Sequence, residues 1–310
     1  MDTSRHWLQF YQADVFSNEP FGGNPVAVFP DAAELTEREF QQIAREMNLS
    51  ETVFVLPPTD TRAVAKIRIF TPSQEIPFAG HPVLGTFYVL GTLKRLPIQE
   101  PVTNLFYECH LGVFPIELIT LKGQIEQVVM SQPSPEFLEV VTKVEMIYEL
   151  AKALGVHKSL ITDSPFPVEV VSTGLPVLLV PIRTLTAIKS MQVNHAAIQD
   201  VCARLGTNGI MVYTTMTLEE DATVHTRMFA DPIGISEDPA TGSASGALGA
   251  YLVKNGVVEV GPTTEVVIEQ GYEINRPSRI LVHVFSDDDM IQTIKVGGQV
   301  VMVAEGKMVY

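Results

Sequence analysis

Arg68-Ile-Phe-Thr-Pro-Ser-Gln-Glu-Ile-Pro-Phe-Ala-Gly80-His81-Pro-Val-Leu-Gly85 has a second version further along the chain. That version is Arg227-Met-Phe-Ala-Asp-Pro-Ile-Gly-Ile-Ser-Glu-Asp238-Pro-Ala-Thr-Gly242-Ser243-Ala-Ser-Gly246. Both run Arg, apolar residue, Phe, then a Pro-containing loop, then Gly opening an apolar run. Pro77 matches Pro239 and Gly80 matches Gly242 at an offset of 162, whereas Arg68 matches Arg227 at 159. The second loop is therefore three residues longer.

The repeat extends outward from this stretch. Phe40–Asn48 parallels Ile198–Gly206 at an offset of 158, each an amphipathic helix followed by an apolar strand, Val53–Leu56 or Ile210–Tyr213. Gly23-Asn-Pro-Val-Ala-Val parallels Gly174-Leu-Pro-Val-Leu-Leu at 151. The order strand, helix, strand, strand, Gly loop, apolar helix thus occurs twice, which short apolar patterns recurring by accident explain poorly. Residues 82–93 and 244–253 are apolar all round, so each predicts a helix buried on every side with a sheet wrapped around it.

Local signals agree with these elements. Thr36-Glu-Arg-Glu39 is a capping box, and Leu35, Phe40, Ile43, Ala44 and Met47 form a core stripe at helical spacing. Val144–Leu154 reads as a helix closed by Gly155, and the final run from Gly298 to Tyr310 as a strand hairpin. The repeat places domains at residues 1–123 plus 297–310 and at 124–296, with an active site expected in the cleft between them.

Composition limits the function. The 310 residues carry 21 Lys+Arg against 36 Asp+Glu, a formal charge of −15, with 46% hydrophobic residues. That balance excludes a disordered chain and disfavours a nucleic-acid partner, which needs clustered cations. No apolar run is long enough to span a membrane, and no secretory pattern opens the chain, so the cytoplasm is the expected compartment. Cys109 and Cys202 are far apart and lack metal or redox spacing. Neither nucleotide-binding glycine motifs nor metal-ligand spacing is present, and no cofactor or metal is expected.

The chemistry-bearing residues follow from the repeat. Gly80-His81 and Gly242-Ser243 open the two buried helices, whose unpaired N–H groups suit an anion such as a carboxylate. Either glycine alone fits a simple turn equally well. Glu51, at the start of an apolar strand, is a candidate general base, and burial there predicts a raised pKa. Its counterpart in the second half is Gly209, so the repeat is broken at this position.

The segments FGGNPVAVF (21–29), NLSETVFV (48–55), FTPSQEIPFAGHPVLGT (70–86), STGLPVLLV (172–180) and EDPATGSASGALGAYL (237–252) resemble the PhzF-like family of phenazine-biosynthesis proteins. The resemblance covers nearly the whole chain. It implies an α+β, diaminopimelate epimerase-like fold with two pseudo-symmetric domains, each a mostly antiparallel, barrel-like sheet around a central helix. It further implies that Glu51 is the acid/base, that His81, Asp238 and Ser243 surround the substrate as its catalytic partners, and that Gly80, Gly242 and Thr241 bind substrate. A homodimer is implied as well. The related cysteine-dependent epimerases carry thiols where this chain has His81 and Ser243, which disfavours a two-thiol racemase here.

One carboxylate without a symmetry mate favours a 1,3-proton shift on a small carboxylate-bearing substrate. The alternatives are a racemase or epimerase using Glu51 and Asp238, and a non-catalytic binding protein on the same fold.

Overall fold

In the computed structural model, which describes residues 6–287 and 290–310, the chain is a sheet-dominated α+β protein with seven α-helices among the described residues. It divides into two compact units. One comprises the described residues up to Met130 together with Gly297–Tyr310, the other Ser131–Val296.

The first unit is built on strand Trp7–Val15, which pairs antiparallel with both Asn24–Phe29 and Val300–Val309. Asn24–Phe29 then runs parallel to Glu51–Leu56, the crossover being helix Glu37–Met47. That helix starts at the expected capping box: the Thr36 hydroxyl accepts the Glu39 amide, and the Glu39 carboxylate accepts the Thr36 amide. Its buried face, Phe40, Ile43 and Ala44, closes over Phe29, Phe54 and Phe70. Ring centroids in this cluster lie 4.8–5.6 Å apart, each pair worth about 0.5–1.5 kcal/mol beyond area burial.

Glu51–Leu56 continues antiparallel into Ala65–Phe70, which pairs with the short strand Glu75–Ile76 and, in parallel, with Val102–Cys109. Helix Gly80–Thr92 buries ten of its thirteen residues. A Cβ on Gly85 would lie 2.5 Å from a Val26 methyl, so only glycine lets this helix seat on strand Asn24–Phe29.

The run after Gly298 is not the hairpin that its Ala304-Glu-Gly306-Lys sequence suggests. Val300–Val309 is one strand, and Gly306 lies within it opposite Phe10. The glycine serves a close approach instead of a turn, because a Cβ there would be 2.8 Å from the Phe10 ring.

In the second unit, strand Glu169–Ser172 pairs antiparallel with Pro176–Pro181, which runs parallel to Ile210–Thr214. Ile210–Thr214 pairs antiparallel with Val224–Ala230, and that strand with Ile235–Asp238 and, in parallel, Thr263–Gln270. Thr263–Gln270 closes antiparallel on Ser278–Asp287. This succession of pairing senses is the one found in the first unit from Trp7–Val15 to Gly112–Leu121. Helix Gly242–Lys254 buries eleven of thirteen residues. Helices Val144–Leu154, ended by Gly155 in the left-handed region, and His195–Leu205 pack into a separate apolar cluster with Val170, Leu178 and Val212.

Candidate active site

Glu51 is delivered to its position by the end of the preceding helix. Asn48 caps helix Glu37–Met47 in the left-handed conformation (φ 51°), and the chain turns into strand Glu51–Leu56 three residues later. Ser50 donates to Asn24 Oδ1 at 3.3 Å, tying this entrance to the neighbouring parallel strand. His81 is the second residue of helix Gly80–Thr92.

The two side chains meet although they are thirty residues apart. His81 Nε2 lies 3.2 Å from Glu51 Oε2, with side-chain exposures of 8% and 10%. The distance is that of an ion pair, yet the ring N–H is not aimed at the carboxylate, and neither atom makes an aligned hydrogen bond. Buried polar atoms are almost always bonded. A buried carboxylate oxygen and a buried ring nitrogen left in this state are ready for a third group.

The expectation of a raised Glu51 pKa is overturned. Burial does push the carboxyl up, but the charge interaction with His81, its ring contact and the Ser50 hydroxyl outweigh it, and the net shift is downward. The sequence argument counted burial and lacked the partner. Glu51 is therefore a carboxylate at neutral pH, the form that can accept a proton.

Strand register identifies the counterpart in the second unit. Thr52 faces Phe70 as Ile210 faces Phe229, which sets Glu51 against Gly209. A Cβ on Gly209 would lie 2.5 Å from the Phe229 carbonyl oxygen and from the Met228 methyl. No side chain fits there.

Asp238, Thr241, Gly242 and Ser243 gather at the start of helix Gly242–Lys254. Asp238 ends strand Ile235–Asp238, and its Oδ2 accepts the Thr241 hydroxyl at 2.5 Å. Thr241, expected among the substrate-binding residues, thus turns its hydroxyl to Asp238. Gln132 Nε2 donates to the Gly242 carbonyl at 2.9 Å, and the Thr173 hydroxyl donates to the Ser243 carbonyl at 3.1 Å. Neither Ala79 nor Thr241, the N-cap residues of the two buried helices, caps its helix through a side chain. Gly80 and Gly242 thereby begin helices whose first N–H groups no capping side chain covers, an arrangement that favours an anion. Gln132 bonds Gly242, and Gln270 bonds Asp238 and Thr241, yet neither glutamine lies in a segment that the sequence singles out.

Cys109 and Cys202 are both buried free thiols, and burial pushes both above the ordinary cysteine range. They stay protonated and are poor nucleophiles.

Comparison with known proteins shows the family. The family model described as phenazine biosynthesis-like protein, PhzC-PhzF, matches residues 13–306. The chain belongs to the PhzC-PhzF family. The trans-2,3-dihydro-3-hydroxyanthranilate isomerase of Pseudomonas chlororaphis is 36% identical over 300 residues, covering 96% of this chain and 97% of that protein. The enzyme of the same name from Pseudomonas fluorescens is 35% identical with the same coverage. Among solved structures, a Bacillus anthracis PhzF-family protein superposes with a TM-score of 0.89 at 30% identity, over 98% of this chain and 100% of that one. A hydroxyproline epimerase from Agrobacterium vitis shares the fold at a TM-score of 0.68 and 14% identity, covering 100% of this chain and 94% of that chain. This PhzC-PhzF member is an isomerase. No helix among its described residues is long and apolar enough to cross a membrane.

Proposed function

We propose that this isomerase catalyses a cofactor-independent 1,3-proton shift on a small carboxylate-bearing substrate, with Glu51 as the acid/base. The observation that carries the reading is the Glu51–His81 pair: a buried carboxylate oxygen 3.2 Å from a ring nitrogen, neither committed to an aligned hydrogen bond. Gly209 supports it, because the second unit has no room for a matching base.

In the proposed reaction the Glu51 carboxylate takes a proton from a C–H bond made acidic by an adjacent unsaturated or carboxylate system. The electron pair delocalises over three carbons. Glu51, now a carboxylic acid, returns the proton to the far carbon, and the double bond moves by one position. No net proton is gained or lost. His81 orients the substrate and answers the loss of charge on Glu51. Asp238 serves the same substrate as an orienting or proton-donating group, while Ser243 and the helix-start N–H groups at Gly80 and Gly242 hold its carboxylate. A preorganised base of this kind contributes roughly 10²–10⁴-fold.

The relatives' names make trans-2,3-dihydro-3-hydroxyanthranilate the first substrate to try. Incubation in D2O, followed by NMR, separates the shift from an epimerisation. A shift gives product in which hydrogen or deuterium sits at a new carbon and leaves recovered substrate uninverted. Recovered substrate that is inverted and deuterated at its original stereocentre contradicts the proposal and favours a two-base reaction through Glu51 and Asp238.

A further inference from the structure

We infer that Gln270 is a positioning residue for Asp238, acting through Thr241; the inference rests on the reading that Asp238 serves the substrate. Gln270 is fully buried at the end of strand Thr263–Gln270. Its Nε2 donates to the Asp238 carbonyl at 2.6 Å and to Thr241 Oγ1 at 3.0 Å, and its Oε1 accepts the Thr241 amide at 3.2 Å. The Thr241 hydroxyl has a single proton. Because its oxygen accepts from Gln270, that proton points to Asp238 Oδ2, 2.5 Å away. One amide group thus sets both the backbone of Asp238 and the direction of the hydroxyl on its carboxylate. The support beneath is rigid. The Ser278 hydroxyl bridges the carbonyls of Gln270 and Pro239, and Gly271 (φ +82°) sits where a Cβ would be 2.5 Å from the Pro239 oxygen.

The first unit shows that the fold does not require this network. Asp238 pairs with Met228 as Ile76 pairs with Ile69, and the N-caps of the two buried helices are Thr241 and Ala79. Glu269 faces His225 as Glu108 faces Lys66, which sets Gln270 against Cys109. The same backbone course is therefore built once with Asp, Thr and Gln and once with Ile, Ala and Cys. The three polar residues occur as a set, and only in the unit that contains Asp238. A buried glutamine must have its polar groups bonded, and every side-chain bond of Gln270 ends on Asp238 or Thr241.

The test joins kinetics with a substrate-free signature. Gln270→Met keeps length and removes every hydrogen bond. With trans-2,3-dihydro-3-hydroxyanthranilate, it should lower kcat/KM about 10–100-fold, and Asp238→Ala/Gln270→Met should be no slower than Asp238→Ala. A loss that multiplies in the double variant, or wild-type kcat/KM in Gln270→Met, overturns the inference. Independently of any substrate, hydrogen exchange at the Thr241 amide should quicken at least about tenfold in Gln270→Met while amides beyond the first turn of helix Gly242–Lys254 hold their protection. Unchanged exchange at Thr241 also overturns it. Should Gln270→Met not fold, Thr241→Val replaces it in the kinetic cycle and should show the same non-additivity. An Asp238→Ala enzyme as fast as wild type, or a wild type inactive on this substrate, counts against the proposed function; the exchange arm then still decides whether Gln270 holds the segment.

Discussion

His81 Nε2 stands 3.2 Å from Glu51 Oε2, both atoms buried and neither in an aligned hydrogen bond. Two opposing influences meet at this contact. Burial favours the neutral acid, His81 favours the carboxylate, and His81 prevails.

Replacing His81 by Asn leaves burial opposed only by the smaller influence of the Ser50 hydroxyl. The acidic limb of the kcat/KM profile, which reports Glu51 losing its proton, should move to higher pH, and kcat should fall about 100-fold. The sign for stability follows from the same shift. A depressed folded-state pKa contributes stability that is present above the ordinary value of 4.5 and is lost as pH falls through the folded-state value. His81→Asn should lose that contribution. A pH–rate profile and denaturant midpoints at several acidic pH values check both, and an acidic limb that stays in place contradicts the account.

Gly209 should tolerate no side chain. Gly209→Ala brings a methyl to 2.5 Å from the Phe229 carbonyl oxygen, and main chain cannot step aside as a flexible side chain can. A cost of about 1–3 kcal/mol is expected from overpacking, read as a lowered denaturant midpoint at unchanged m-value. Wild-type stability in Gly209→Ala would show that the second unit could have held a base.

His225 makes stability depend on pH at the other end of the scale. Its ring is fully buried, with Nδ1 2.7 Å from Glu269 and Nε2 2.9 Å from Glu273. Only the imidazolium has an N–H for each carboxylate. Burial pulls the ring down, but the two glutamates outweigh it and the pKa is raised. Burial likewise pushes Glu273 up, and His225, with a smaller contribution from Arg227, brings it down; the Tyr272 ring packs alongside. A raised folded-state pKa contributes stability that is complete below the ordinary value of 6.5 and is lost as pH rises through the folded-state value. His225→Gln, removing the imidazolium between the two glutamates, should cost about 3–5 kcal/mol at low pH, and its deficit against wild type should shrink as pH rises. Urea midpoints of both proteins across that window measure it; a deficit independent of pH would contradict the reading.

Much of the architecture is legible in the residues because the same physical pattern is written twice. Arg68 and Arg227 lie in matching strands, where Arg68 reaches Glu75 and Arg227 reaches Glu237, and the two apolar helices are buried as their composition demands. Gly306 misleads because a glycine in a polar run signals a turn, while the Phe10 ring that requires it is nearly three hundred residues away in sequence. Glu51 stands out in the sequence by its mismatch with Gly209, but the direction of its pKa shift depends on His81, brought to it only by folding. Gln270 gives no signal at all. Its contacts are with backbone atoms and one hydroxyl some thirty residues away, and such contacts leave no mark in periodicity or charge pattern.

The most direct test is Glu51→Gln, which keeps shape and removes the base. Wild type and variant are incubated with trans-2,3-dihydro-3-hydroxyanthranilate in D2O, and substrate and product are followed by NMR, with circular dichroism to show that both are folded. The account predicts conversion by wild type, and neither conversion nor deuterium exchange above background by Glu51→Gln. Conversion or exchange by a folded Glu51→Gln protein at the wild-type rate would contradict it.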